Sequence, residues 1–110
     1  MKIEKFNRQS GEKRRIRFII PGYPTFNIYS SIAKHTTSLG PLLLASVADQ
    51  KTEWDVEVID ENNFSAQAIK TPDGYPDHSY LQEQFKADVV ALYGGLSSTI
   101  PRLFELARFY

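Results

Sequence analysis

Three short apolar segments, separated by stretches with helical features, constrain the fold of this chain most strongly. They are Arg15–Ile20 (RIRFII), Trp54–Asp60 (WDVEVID) and Ala87–Tyr93 (ADVVALY). β-Branched and aromatic residues are frequent in these segments, and Gly, Pro or Asn lies within two residues of the end of each one, which is typical of strands. Strands that alternate with helices pair in parallel through right-handed crossovers. We therefore predict an α/β fold, a Rossmann-like open parallel sheet.

Helical patterns fill the gaps between the strands. A helix over GPLLLASVADQ is expected to be capped by Ser38 or Thr37, with Pro41 near its first turn, where a missing N–H costs little. A short helix is expected over Ser79–Lys86, after the loop-forming stretch TPDGYPD, and a third over Ile100–Tyr110. The side chains expected in the core are Leu42, Leu43, Leu44, Val47, Trp54, Ile100, Leu103, Phe104, Leu106 and Ala107.

The strand patterns also predict positions within the sheet. Trp54–Asp60 alternates apolar and polar residues, which favours a strand near a sheet edge. Ala87–Tyr93 is almost continuously apolar, which favours a central parallel strand. The polar residues 1–14 are interpreted as a flexible N-terminal tail, and residues 15–110 as one domain. Because the sequence ends within the third helix, we expect a domain truncated after its third strand–helix unit.

Composition excludes several classes of function. The chain has no cysteine, so it has no disulfide, thiolate nucleophile or thiolate-held metal cluster of its own. Thirteen basic residues balance thirteen acidic ones, so no net charge favours nucleic acid. No apolar run is long enough to span a membrane or to form a signal sequence, and we expect a cytoplasmic protein. His35 and His78 lie outside any metal-binding spacing. His35 is interpreted as an exposed loop residue, and His78 as a residue at the surface or next to the cap of the short helix.

Ligands in open α/β sheets bind beside the carboxyl ends of the strands, where the strand order reverses. The segments that arrive there are Pro21–Pro24, Asp60–Asn63 and Gly94–Thr99. If the strand order is 2-1-3, the first and last of these face each other across the crevice. Asp60 and Glu61 are interpreted as strand-terminating residues, because adjacent side chains at a strand end diverge and make a poor acid/base pair.

The stretch GGLSST allows two interpretations that are compatible with each other. Gly94 and Gly95 would let a flat ligand lie against the backbone, with the hydroxyls of Ser97, Ser98 and Thr99 at its polar rim. Alternatively, the glycines make a tight strand–helix turn and one hydroxyl, from Ser98 or Thr99, caps the helix. Neither GxGxxG nor GxxxxGK[ST] is present, which disfavours dinucleotide binding and a phosphate loop.

Four motifs in order, PGYP, SLGPLLLASVA, EVIDE and ADVVALYGGLSST, resemble the N-terminal cobalamin-binding domain of cobalamin-dependent radical SAM proteins. The resemblance covers residues 15–110 and depends on the order and spacing of the motifs. It implies cobalamin across the carboxyl ends of the strands. The residues that would line this cofactor are Pro21, Gly22, Tyr23, Pro24, Ser38, Leu39, Gly40, Pro41, Gly94, Gly95, Leu96, Ser97, Ser98 and Thr99.

The resemblance also implies what this chain does not supply. It has no DxHxxG, since Asp77 and His78 are adjacent, so the lower axial ligand of the cobalt is not assigned. It has no CxxxCxxC, so the iron–sulfur cluster and S-adenosylmethionine would belong to a C-terminal radical SAM domain of the parent protein. Catalysis, such as methyl transfer or a radical rearrangement, would take place in that domain, and this chain would only bind cobalamin.

Two other functions remain open from the sequence. One is a nucleotide or nucleotide-sugar phosphate-binding domain of a transferase, with Ser97–Thr99 at a helix start. The other is an assembly fragment, in which the exposed edge of the third strand recruits a partner chain or a second copy. Tyr23 and Tyr93 flank the predicted crevice and suit either ligand contact or ordinary packing.

Overall fold

The computed structural model describes residues 13–24, 32, 38–63 and 70–110. Its strands and helices are β1 (Arg15–Ile20), α1 (Leu39–Lys51), β2 (Asp55–Asp60), α2 (His78–Gln84), β3 (Val89–Leu92), a 3-10 turn (Ser97–Thr99) and α3 (Ile100–Phe109). The strands form a parallel sheet in the order β2-β1-β3, which confirms the predicted α/β open sheet. The interpretations of residues 1–12, His35 and Thr37 lie outside the described residues.

Strand β1 lies in the middle of the described sheet and carries much of its core. Phe18, Ile19 and Ile20 are buried; β2 pairs with all three, and β3 pairs with Phe18 and Ile19. The ladder ends where β1 reaches Pro21, which has no N–H to donate. Beyond that point, the backbone of the segment that follows β1 needs partners from elsewhere in the molecule.

The two outer strands differ from each other, and the prediction for one of them was wrong. β2 is an edge strand of the described sheet, as its alternating pattern indicated. β3 was expected to be central, yet among the described residues it pairs only with β1, and Val89 is 41% exposed. An apolar run shows that a strand suits burial on both faces, but it does not show how many strands lie beside it.

Helix α1 begins at Leu39, after Ser38 as the N-cap residue, close to the predicted start, but the Ser38 side chain makes no capping hydrogen bond. Its core residues were predicted wrongly, since Pro41 and Ala45 are buried. Consecutive residues are 100° apart around a helix, so a continuous apolar run cannot face one sheet. The exposed side chains are Leu39, Leu42, Leu43, Leu44 and Val47.

Helix α3 packs through fewer residues than its sequence indicated. Leu106 is buried with 2% exposure, whereas Phe104, also expected in the core, is 56% exposed. Ala107 is exposed and Leu103 is half-buried. Trp54, another expected core residue, is half-buried just before β2, where the Arg14 guanidinium lies 5.8 Å from the centre of its ring.

The short helix α2 begins at His78, one residue before its predicted start. The Asp77 carboxylate caps it by accepting a hydrogen bond from the N–H of Tyr80 at 3.1 Å. The preceding loop was predicted correctly, and Gly74 adopts a φ of 84° there, a conformation that favours glycine. In the described part of the chain, no helix combines the length and the apolar character needed to cross a membrane.

Candidate functional site

The order β2-β1-β3 brings the predicted ligand segments to one edge of the sheet. Pro21, Tyr23, Ser38 and Thr99 meet around a small niche that Tyr93 and Ile20 complete. The niche holds about 10 Å³, which is space for about one water molecule. These residues therefore come together as predicted, but a large ligand does not fit between them and would have to lie over them.

The two glycines after β3 face side chains of their own chain. A Cβ on Gly94 would lie 3.1 Å from Cδ1 of Leu103, so this glycine permits close packing of α3 against the end of β3. A Cβ on Gly95 would overlap the ring of Tyr93. The residues from Tyr93 to Ser97 are nevertheless all exposed, and they form an open strip beside the niche.

The hydroxyl groups after the glycines have partly internal roles. Thr99 is the N-cap residue of α3, but its side chain makes no capping bond, contrary to the capping interpretation. Its hydroxyl donates instead to the carbonyl of Leu96 at 2.7 Å and closes the 3-10 turn. Ser97 is exposed and Ser98 is half-buried, so both lie at the side of the open strip.

The segment Pro21–Pro24 is held by side chains that follow β2. The N–H of Gly22 donates to Oε1 of Glu61 at 3.0 Å, and the N–H of Tyr23 donates to Oδ1 of Asn62 at 2.9 Å. Nδ2 of Asn62 donates in turn to the carbonyl of Pro21 at 3.2 Å. Glu61 is thus more than a strand-terminating residue, and the prediction missed this role.

Glu61 lies at the centre of a buried polar cluster. Nε and Nη2 of Arg102 donate to Oε1 and Oε2 of Glu61 at 2.8 and 2.7 Å, and Nε2 of His78 lies 2.8 Å from Oε2. Burial alone would raise the pKa of this carboxyl, but the hydrogen bonds from Arg102, His78 and Gly22 outweigh burial and lower the pKa to about 2. The same pairing raises the pKa of Arg102.

His78 connects this cluster to a second buried charge. Its Nδ1 lies 2.7 Å from the hydroxyl of Tyr110, which accepts a hydrogen bond from Arg17 at 3.2 Å. His78 thus bridges the Tyr110 hydroxyl and the Glu61 carboxylate through its two ring nitrogens. Burial raises the pKa of Tyr110, and the positive charge of Arg17 opposes this. His78 is 7% exposed, so it is not a surface residue, but it directly follows the N-cap residue Asp77, as the alternative interpretation expected.

A larger cavity opens on the other side of the cluster. It has a volume of about 210 Å³, and its lining includes Tyr75, Asp77, His78, Arg102 and Glu105. The Arg102 guanidinium lies 4.0 Å from the centre of the Tyr75 ring and also donates to Glu105 at 3.0 Å. The polar side chains that line this cavity near the cluster are thus already engaged with one another.

The cluster left little trace in the sequence. Arg17 has no exposed side-chain surface although it lies in an apolar strand. Its charge within RIRFII was the one signal of the cluster that the sequence showed. His78 and Tyr110 carry no local pattern, because their partners are 17 to 93 residues away. No group of three or more His, Asp or Glu side chains in the described ranges is placed to hold a metal ion.

Comparison with known proteins gives no relative for this chain. No protein-family model matches it, and neither a curated protein nor a solved structure is significantly similar to it.

Proposed function

We propose that this chain binds cobalamin at the carboxyl edge of its sheet, as a module of a larger cytoplasmic radical SAM protein. The order of the motifs from PGYP to GGLSST supports this proposal through their resemblance to such domains. Cobalamin would supply methyl-transfer or radical chemistry to a catalytic domain elsewhere in the parent protein. The proposed role of this chain is to bind and orient that cofactor. A chain without cysteine cannot hold an iron–sulfur cluster, so the cluster would belong to the catalytic domain.

The strand order β2-β1-β3 is the observation that carries the proposal. It makes the gap between β1 and β3 the point where the order reverses, and ligands of open α/β sheets bind at such points. Pro21–Pro24 lies on one side of this gap and Gly94–Thr99 on the other. Ser38, at the start of α1, lies between them at the niche.

The shape of this edge suits a flat ligand that lies over the surface. The strip from Tyr93 to Ser97 is exposed, and Tyr93 and Leu96 present 39% and 45% of their surfaces to solvent. Exposed apolar side chains beside hydroxyl groups match a corrin ring with a rim of amides. Because the niche holds about one water, the ring would rest above it.

A phosphate ligand at Ser97–Thr99 has less support. The Thr99 hydroxyl donates to the carbonyl of Leu96, and the nearby cation Arg102 is bonded to two carboxylates. Assembly through β3 has one observation in its favour, the exposure of Val89 at an edge where the described residues provide no further strand. Gel filtration of the free protein detects such assembly.

The proposal is tested by absorbance titration with hydroxocobalamin, followed by gel filtration of the mixture. We expect the cobalt-centred absorbance to shift and to elute with the protein. Leu96→Arg places a charge on the open strip, so we expect it to weaken binding at least roughly tenfold. Val47→Arg is the matched control, because Val47 is 55% exposed in the second half of α1, and its effect should stay within about twofold.

Two results would contradict the proposal. One is cobalamin that elutes apart from a folded wild-type protein. The other is an equal loss of binding in Leu96→Arg and Val47→Arg, which would place the ligand elsewhere or show that it adsorbs without a site. If the protein binds a nucleotide but not cobalamin, the phosphate alternative is favoured. If it elutes as a dimer without any ligand, assembly is favoured.

A further inference from the structure

We infer that Glu61, together with Asn62, positions the segment Pro21–Pro24 for its ligand. The identity of that ligand rests on the function proposed above, whereas the positioning can be measured without any ligand. Glu61 is a positioning residue in this inference, because its side chain is fully buried and acts through the backbone of Gly22.

The backbone chemistry of the segment explains its dependence on these two side chains. Proline has no N–H, so Pro21 and Pro24 leave only two amide donors in the segment, those of Gly22 and Tyr23. Both donate to side chains, one to Glu61 and the other to Asn62. Two residues that follow β2 therefore take the place of a strand ladder for this segment.

Glu61 is itself held so that it cannot turn away. Its Oε1 accepts from Gly22 and from Nε of Arg102, and its Oε2 accepts from Nη2 of Arg102 and from His78. A carboxylate offers about four lone-pair positions, so all of them are used. The donors come from three separate parts of the fold: the end of β1, α2 and α3. A neutral amide at this position could not accept from all of them.

Close packing fixes Gly22 from a second direction. A Cβ on Gly22 would lie 2.8 Å from Cε1 of Tyr75, so the backbone of Gly22 lies directly against that ring. The same ring contacts the guanidinium of Arg102. Asn62 is fixed as well, because Oδ1 of Asp60 accepts from its N–H and from Nδ2 at 2.9 and 3.2 Å.

Amide hydrogen exchange by NMR on the full chain tests the positioning directly. In Glu61→Gln, we expect the Gly22 amide to exchange at least roughly tenfold faster, because a hydrogen bond to a charged acceptor is lost or weakened. We expect the affinity for hydroxocobalamin to fall by roughly tenfold as well. Glu105→Gln is the matched control, since it also removes a carboxylate from Arg102 but contacts no part of the segment; both quantities should stay within about twofold.

A second variant keeps the test decisive if Glu61→Gln does not fold. Asn62→Ala removes the acceptor of the Tyr23 amide and leaves the buried cluster intact. We expect the Tyr23 amide to exchange several-fold faster and the cobalamin affinity to fall several-fold. Unchanged exchange at Gly22 in a folded Glu61→Gln, or at Tyr23 in Asn62→Ala, would overturn the positioning role.

The two proposals fail in different ways. If wild-type protein binds no cobalamin, the proposed function fails, while amide exchange in the variants still decides whether Glu61 positions the segment. Another outcome is that cobalamin binds the wild-type protein while Glu61→Gln accelerates exchange at Gly22 and leaves the affinity for cobalamin unchanged. In that case Glu61 positions the segment, but the positioning does not serve the ligand. That result would overturn this inference and leave the proposed function in place.

Discussion

Arg17 shows how a single residue can join elements that are distant in sequence. It lies in the central strand with no exposed side-chain surface. Its guanidinium donates to the carboxylate of Glu57, to the hydroxyl of Tyr110 and to the carbonyls of Leu81 and Phe85 at the end of α2. A buried charge is tolerated only when it is paired and its donors are satisfied. Arg17 therefore both pairs with β2 and caps a short helix.

Replacement of Arg17 by methionine keeps much of the volume but removes every one of these donors. We expect Arg17→Met to lower the free energy of unfolding by about 3 kcal/mol, because it removes the fully buried partner of Glu57 and the side-chain donor to the Phe85 carbonyl. Urea denaturation followed by circular dichroism measures this. Arg108→Met is the control, since Arg108 is exposed, and it should cost less than about 0.5 kcal/mol. Equal losses in the two variants would show that Arg17 has no special role.

Among the elements, α1 and α3 show that an apolar sequence alone does not identify a core. The continuous leucines of α1 point around the helix, and Pro41 and Ala45 supply its buried positions. In α3, Leu106 is almost fully buried, although Phe104, two residues earlier and larger, is mostly exposed. Burial in each helix depends on which face the sheet covers.

Two leucine-to-alanine variants separate these cases. Leu44→Ala on α1 removes a side chain that is 64% exposed, so we expect a loss of stability below about 1 kcal/mol. Leu106→Ala on α3 removes a buried side chain, so we expect a loss of about 3 kcal/mol from lost contacts and a cavity. Urea midpoints of the two variants provide the comparison. A larger loss of stability for Leu44→Ala than for Leu106→Ala would mean that another surface covers the leucines of α1 in solution.

At the scale of the whole molecule, the Glu61 cluster joins four parts of the fold. It connects the end of β1 through Gly22, α2 through His78 and α3 through Arg102 to the end of β2. All of these bonds favour the ionised carboxyl. Because the cluster lies beneath the predicted ligand segment, the charge of one carboxylate affects both stability and the candidate site.

The lowered pKa of Glu61 predicts how stability depends on acid. Its pKa is about 2 in the folded chain against an ordinary value of 4.5, so the unfolded chain binds the proton first as the pH falls. The contribution of Glu61 is therefore complete above pH 4.5 and is lost between pH 4.5 and about 2. It amounts to roughly 3 kcal/mol.

Carbon NMR of the Glu61 carboxyl measures this directly, together with urea denaturation across the same pH range. The carboxyl should titrate near pH 2, well below its ordinary value of 4.5. Titration of Glu61 near pH 4.5 would show that Arg102 and His78 do not hold its charge in solution.

Local sequence patterns determined the elements and their ends. β-Branched runs predicted the strands, Pro21 predicted the end of β1, and Ser38 with Pro41 predicted the start of α1. The alternation of strand and helix predicted the parallel sheet, and the alternating residues of β2 predicted its place at an edge of the described sheet. These features depend on neighbours within a few residues, whose dihedral preferences and side-chain periods are visible in the sequence.

Only the tertiary structure decided which side chains are buried together. Glu61 meets Arg102 across 41 residues of sequence and His78 across 17, and no local pattern marks either pair. The exposure of the α1 leucines was likewise invisible, because burial depends on which surfaces cover each other once the strands are in the order β2-β1-β3. The position of Pro21–Pro24 at the carboxyl end of β1 was thus predictable from the sequence, but the buried carboxylate beneath it was not.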